Sequence, residues 1–270
     1  MTNKVGTCNI CGAVQKLTNE DVVPIWLRKE FANRNVLPGD QPPKTLLPIC
    51  YDCNHGLANA LEGPVSRIVK NMMKPESSFS ISLHEQELLA KWILKTDALR
   101  QIWRIRIGKR PVDDQVKPYA KLAEDLIAGG TLPEGCSAQI VRRDDRMIAG
   151  RTNGLVALLH PSADGYLHSV SRYPSFATVS CIGLDRTSFD AHVQGSQHDS
   201  RVLIIWPLRK DSLAWPPKAG IAEETLSAVL AAGSHSSASM LGGPYLSAIG
   251  GDGQALVRSQ FGRGFRASTT

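Results

Sequence analysis

The chain of 270 residues has no run of about 18 apolar residues, so no segment reads as a membrane-spanning helix and no membrane partner is expected. Its opening residues, MTNKVGTC, lack the apolar core of a signal peptide, which sets the expectation of a cytoplasmic protein. Cysteine is scarce: six in a chain of this length are too few for a disulfide scaffold. No internal repeat is apparent. Six of the seven histidines (His84, His160, His168, His192, His198 and His235) are scattered without ligand spacing, and each reads as a surface or internally satisfied side chain. Excess charge is also small. A net +6 and a pI near 9.1 are compatible with an acidic partner such as nucleic acid, and equally with none. With 42% hydrophobic and 21% charged residues, the composition is that of a globular protein able to bury one large core or two modest ones.

Four of the six cysteines form two C-x-x-C pairs, Cys8/Cys11 and Cys50/Cys53. In a reducing compartment such pairs read as metal ligands, and four thiolates in a tetrahedron suit zinc. Gly6 and Gly12 flank the first pair, where tight turns let two thiolates point at one ion. Two redox motifs, or four unligated thiols, are the alternatives. Cys136 and Cys181 stand alone and read as small buried hydrophobes.

Between the pairs, Val22-Val23 is strand-like, and Pro24 is placed to open a helix whose buried face begins with Ile25, Trp26 and Leu27. Residues 36–47 read as loop. After Cys53, Leu57, Leu61, Val65 and Ile68 repeat at helical spacing, with a kink or break expected at Pro64. Ser82 and Glu85 form a capping box for a helix with one apolar stripe through Leu88, Leu89, Trp92, Ile93, Leu99, Ile102 and Trp103. Arg104, Arg106, Lys109 and Arg110 cluster at its end, as a solvated helix terminus or a phosphate-binding patch. A further helix is expected over 117–128. From about residue 136 the pattern turns to strands, at 139–142, 155–159, 166–171, 176–184, 189–193 and 201–208. Residues 226–270, rich in Gly, Ser and Ala, read as a flexible tail, with a short helix expected over 222–232.

The order Cys pair, Glu20-Asp21-Val22-Val23-Pro24-Ile25-Trp26, Cys pair, Asn54 and then Glu62 resembles the HNH endonuclease family. The likeness is to its four-cysteine bacterial and phage-associated members, with the pattern C-x-x-C, E-H-V-x-P-x-W, C-x-x-C-N, and covers about residues 8–105. It implies a zinc-braced ββα-metal module over 1–75, and with the helical segment and strand-rich part over 76–225 and the tail, both read from the residue pattern, an α+β chain is expected. It further implies a metal-dependent endonuclease acting on DNA. Cys8, Cys11, Cys50 and Cys53 match the structural zinc ligands. Glu20 and Asn54 match the residues that face a catalytic Mg²⁺ or Mn²⁺. Asp21 stands where the family has its catalytic histidine. An imidazole with a pKa near 6.5 accepts a proton at neutral pH, whereas a carboxylate near 3.9 is a much weaker base. Three outcomes stay open: Asp21 orients water in a carboxylate-rich site, His55 supplies the imidazole, or the module has lost cleavage and binds nucleic acid or a protein. A purely structural zinc module is the fourth reading.

Overall fold

The computed structural model describes residues 5–33, 44–74, 76–107, 113–143, 157–161, 167–183, 201–208 and 211–221. The expected tail, the helix at 222–232, the strand at 189–193, Lys109, Arg110, His192, His198 and His235 lie outside them. Helices and strands are mixed, and no described helix is long and apolar enough to cross a membrane.

The N-terminal part is a three-stranded antiparallel sheet, β1 (Val5–Thr7), β2 (Val14–Asp21) and β3 (Leu46–Cys50), in that order. Thr7 pairs with Val14, so the loop of the first hairpin carries Cys8 and Cys11. Leu17 pairs with Cys50 and brings the second pair alongside. Gly12 holds φ at 73°, the left-handed conformation that a residue without Cβ adopts at least cost. Val22 and Val23 are not in a strand. β2 ends at Asp21, and both valines are buried in the bend that follows. The strand lies earlier, in the alternating VQKLTNED. Helix α1 (Ile25–Asn33) follows Pro24, whose carbonyl accepts from the Leu27 and Arg28 amides at 3.0 and 3.1 Å.

From Tyr51, between the two cysteines of the second pair, the chain is helical to Met72, in three pieces: α2 (Tyr51–Leu57), one wide π turn (Ala58–Glu62) and α3 (Gly63–Met72). The irregularity expected at Pro64 is therefore a π turn just before it. Pro64 itself sits in the first turn of α3, where its missing N–H costs little. At Gly56, a Cβ would come within 2.5 Å of Ile127 Cγ2, so α2 needs glycine to approach α5 (Asp113–Ile127).

Helix α4 (Leu83–Ile107) is the long element between the two parts. Its capping box forms as the sequence predicts: the Ser82 amide donates to Glu85 Oε2 at 3.0 Å, and the Glu85 amide donates to Ser82 Oγ at 3.3 Å. Ser82→Ala is expected to destabilise the chain by about 1 kcal/mol, read as a lowered midpoint in thermal denaturation. The single apolar stripe is an undercount. Gln86, Lys95, Thr96, Asp97, Arg100 and Gln101 are buried too, so α4 is covered on more than one side. It packs on a five-stranded antiparallel sheet, in order β6 (Ala157–Pro161), β7 (Leu167–Arg172), β8 (Phe176–Ile182), β5 (Ser137–Arg142) and β9 (Val202–Trp206). β4 (Phe79–Ser82), just before α4, pairs with β10 (Ser212–Trp215).

One hydrophobic cluster runs from Cys8 to Trp215, across the boundary expected near residue 75. Its spine is aromatic. Trp26 of α1 meets Trp92 of α4 at 6.0 Å between ring centroids, Trp92 meets Tyr173 at 6.0 Å, and Tyr173 stacks on Phe176 at 4.4 Å. Ser175 also donates to the Met73 carbonyl at 2.7 Å. The N-terminal sheet and helices are thus packed onto the strand-rich part.

Candidate metal centre and the adjoining acidic cleft

The β1–β2 loop and the junction of β3 with α2 bring the Sγ atoms of Cys8, Cys11, Cys50 and Cys53 within 4.8 Å of one another. Among the described residues this is the one cluster of its kind. A tetrahedron of thiolates about 2.3 Å from a central zinc has edges of about 3.8 Å. Cys11 Sγ and Cys50 Sγ are 3.8 Å apart. The set can hold a metal ion such as zinc.

Backbone amides support the sulfurs. Cys8 Sγ accepts from the Cys50 and Ile10 amides at 3.3 and 3.4 Å, and Cys50 Sγ accepts from the Cys53 amide at 3.4 Å. This last bond makes Cys50 the N-cap of α2, so Asn54 lies inside the helix and not at its cap. Burial opposes ionisation of Cys8, but the amides of Cys50, Ile10 and Cys11 outweigh it and hold the thiol below its ordinary range. Burial pushes Cys11 and Cys53 up, and the neighbouring sulfurs push Cys53 further. A bound cation removes that opposition, since the thiolate is the ligand form.

Beside this centre lies a cleft of about 740 Å³, lined among others by Glu20, Asp21, Lys29, Asn54, Glu62 and Lys70. Thr18 and Glu20 fall on one face of β2 by the strand's two-residue alternation, and α2 crosses that face. Asn54 Nδ2 donates to Thr18 Oγ1 at 2.9 Å, and Thr18 Oγ1 donates to the Ile49 carbonyl at 3.0 Å. This chain sets the amide orientation and leaves the Asn54 Oδ1 oxygen without a partner in it. The π turn ends at Glu62 and delivers that carboxylate to the same cleft.

The carboxylates already have cations. Lys95 of α4, fully buried, places Nζ 2.6 Å from Glu62 Oε1 and 3.1 Å from Glu20 Oε1. Burial works against its ammonium, but Glu62 and Glu20 more than offset that and hold it above the ordinary lysine range. Burial likewise pushes the Glu20 carboxyl up, with Lys95 opposing and Glu62 adding to the rise. Asp21 pairs with Arg28 at 2.8 Å. His55 is not in the cleft. It is exposed, stacked on Tyr51 at 5.4 Å and within 2.8 Å of Asn59 Nδ2.

Of the residues singled out in the sequence, the structure gathers the four cysteines at one point and Glu20, Asp21 and Asn54, with Glu62, at another. It leaves His55 outside both. A hard divalent ion does not fit the second point as it stands: Glu20 and Glu62 converge on Lys95 Nζ, and no third carboxylate or imidazole among the described residues closes on them. Lys95 was missed in the sequence, though a signal was there. It lies three residues after Trp92 and four before Leu99, a charged residue on the apolar stripe itself.

Comparison of the chain with protein-family models, curated proteins and solved structures finds no match.

Proposed function

We propose that this chain binds nucleic acid through a zinc-braced, HNH-like module, with the sugar–phosphate backbone lying in the cleft between α1 and the π turn. The observation that carries this reading is a run of basic side chains along a cleft and its neighbouring hollow, beside a sheet and helix that meet at the four-cysteine cluster. The same cleft contains Lys29 and Lys70. An adjoining hollow of about 380 Å³ shares Glu30 and Lys70 with it and adds Arg67 of α3 and Lys74 just beyond its end. These basic side chains give a polyanion a path into the cleft, where Asn54 offers a polar edge.

A second reading, hydrolysis at the same place, is supported by the carboxylates and amide that line it. A divalent ion supplies charge stabilisation for phosphodiester cleavage. The pairing of Glu20 and Glu62 with Lys95, the pairing of Asp21 with Arg28 and the outward position of His55 favour binding without cleavage.

Fluorescence anisotropy with a labelled DNA duplex tests the first reading. Replacing Arg67 and Lys70 together by glutamate is expected to weaken binding by at least about tenfold and to flatten its salt dependence. Binding unaffected by that change would remove the proposed path. Supercoiled plasmid with Mg²⁺ or Mn²⁺ tests the second. Nicking abolished by both Glu20→Ala and Asn54→Ala would establish hydrolysis here, and nicking that survives both would point to a contaminant. Cutting by Asp21→His alone would mark a module that has lost its base.

A further inference from the structure

We propose that Lys95 is the resident cation of the cleft, supplied by α4 to the position between Glu20 and Glu62 that a divalent ion held by those two carboxylates would need. The ammonium touches one oxygen of each carboxylate, at 3.1 and 2.6 Å, and has no exposed surface. Those two carboxylates come from β2 and from the end of the π turn, and both close on the same ammonium. A divalent ion between them would sit beside a fixed positive charge in a poorly screened interior, where like charges repel strongly.

The position of that charge is not adjustable. Lys95 is three residues from Trp92, which is wedged between Trp26 and Tyr173, and two from Asp97, which is bound to Ser180 at 2.6 Å. Both contacts lock α4 to its neighbours on either side. The lysine belongs to the long helix that carries the five-stranded sheet, outside the β2–β3–α2 unit whose acidic groups it neutralises. The strand-rich part thereby acquires a role in the cleft: through α4 it seats a permanent charge there.

Manganese binding by the full, zinc-loaded chain, followed by water-proton relaxation in the absence of nucleic acid, tests this independently of the nucleic-acid reading. Wild type is expected to show no Mn²⁺ site that depends on Glu20 and Glu62. Lys95→Ala is expected to bind Mn²⁺ at least about tenfold more tightly than wild type, and to lose the gain when Glu62→Gln is added. Two results overturn the proposal: a wild-type Mn²⁺ site abolished by Glu62→Gln, or a folded Lys95→Ala that gains no Mn²⁺. Should Lys95→Ala not fold, Lys95→Met keeps the side-chain volume, and the wild-type titration decides alone.

Discussion

Cys53→Ser is expected to abolish zinc binding and to lower the thermal midpoint by about 10 °C or more, the largest effect of any single substitution in the N-terminal part. β1 has only three residues, with Val5 exposed and the facing Val14 of β2 exposed as well, and the loop carrying Cys8 and Cys11 is joined to β3 through Asn9, whose amide and side chain both donate to the Pro48 carbonyl. Structural zinc in small modules contributes about 10–16 kcal/mol of apparent binding energy, and the site forms only in the folded chain, so that energy is folding energy. Cys53 is buried at the start of α2 and neighbours the other three sulfurs, whereas Cys11 is exposed. Its loss removes a ligand and leaves the remaining thiolates to repel one another. Zinc content measured by mass spectrometry should be one per chain in wild type and near zero in Cys53→Ser. Cys136→Ser and Cys181→Ser should keep the ion, because both thiols are buried apart from the cluster. Acidification should release zinc as the ligands protonate, and the midpoint should fall with it. A Cys53→Ser protein that keeps both its zinc and its midpoint would rule out the brace.

The parts of this fold that can be read from sequence are those set by short spacing. Two C-x-x-C pairs name their own ligands, Ser82-x-x-Glu85 names its own cap, and strands β5, β8 and β9 follow from runs rich in β-branched residues. What stayed hidden depends on partners far along the chain. Lys95 is ordinary until Glu20 and Glu62 close on it from 75 and 33 residues away. The π turn has no residue of its own to announce it, yet it ends on a cleft carboxylate. Asn54 lies inside α2, because the Cys50 sulfur, accepting from the Cys53 amide, takes the cap position. His55 looked chemical because it follows Asn54. One residue on a helix is about 100° of rotation, and that turns its ring to solvent.

The remaining large effect lies in the polar interior of α4. Asp97 is fully enclosed. Its Oδ2 accepts from Ser180 at 2.6 Å and its Oδ1 from Ser171 at 3.4 Å, while Arg100 Nη1 reaches the same Oδ1 at 3.1 Å. Arg100 also donates to Ser171. These groups tie α4 to β7 and β8, so the network fixes how the long helix sits on the sheet and where Lys95 falls. Burial pushes the Asp97 carboxyl up, with Arg100 and the serine hydroxyls opposing. Asp97→Ala leaves a buried guanidinium without its counter-charge and two hydroxyls without an acceptor, and is expected to cost about 3–5 kcal/mol. Asp97→Asn keeps an acceptor at nearly the same place and should cost less. Replacing both partners, as Asp97→Leu with Arg100→Met, should recover part of the loss, because the burial penalty of two charges disappears along with their attraction. Urea denaturation of the three variants gives the comparison directly. If Asp97→Ala is as stable as wild type, the network does not hold α4 to the sheet. If the double variant is no more stable than Asp97→Ala, relieving the burial of both charges recovers nothing, and the pair contributes net stability beyond the cost of burying it.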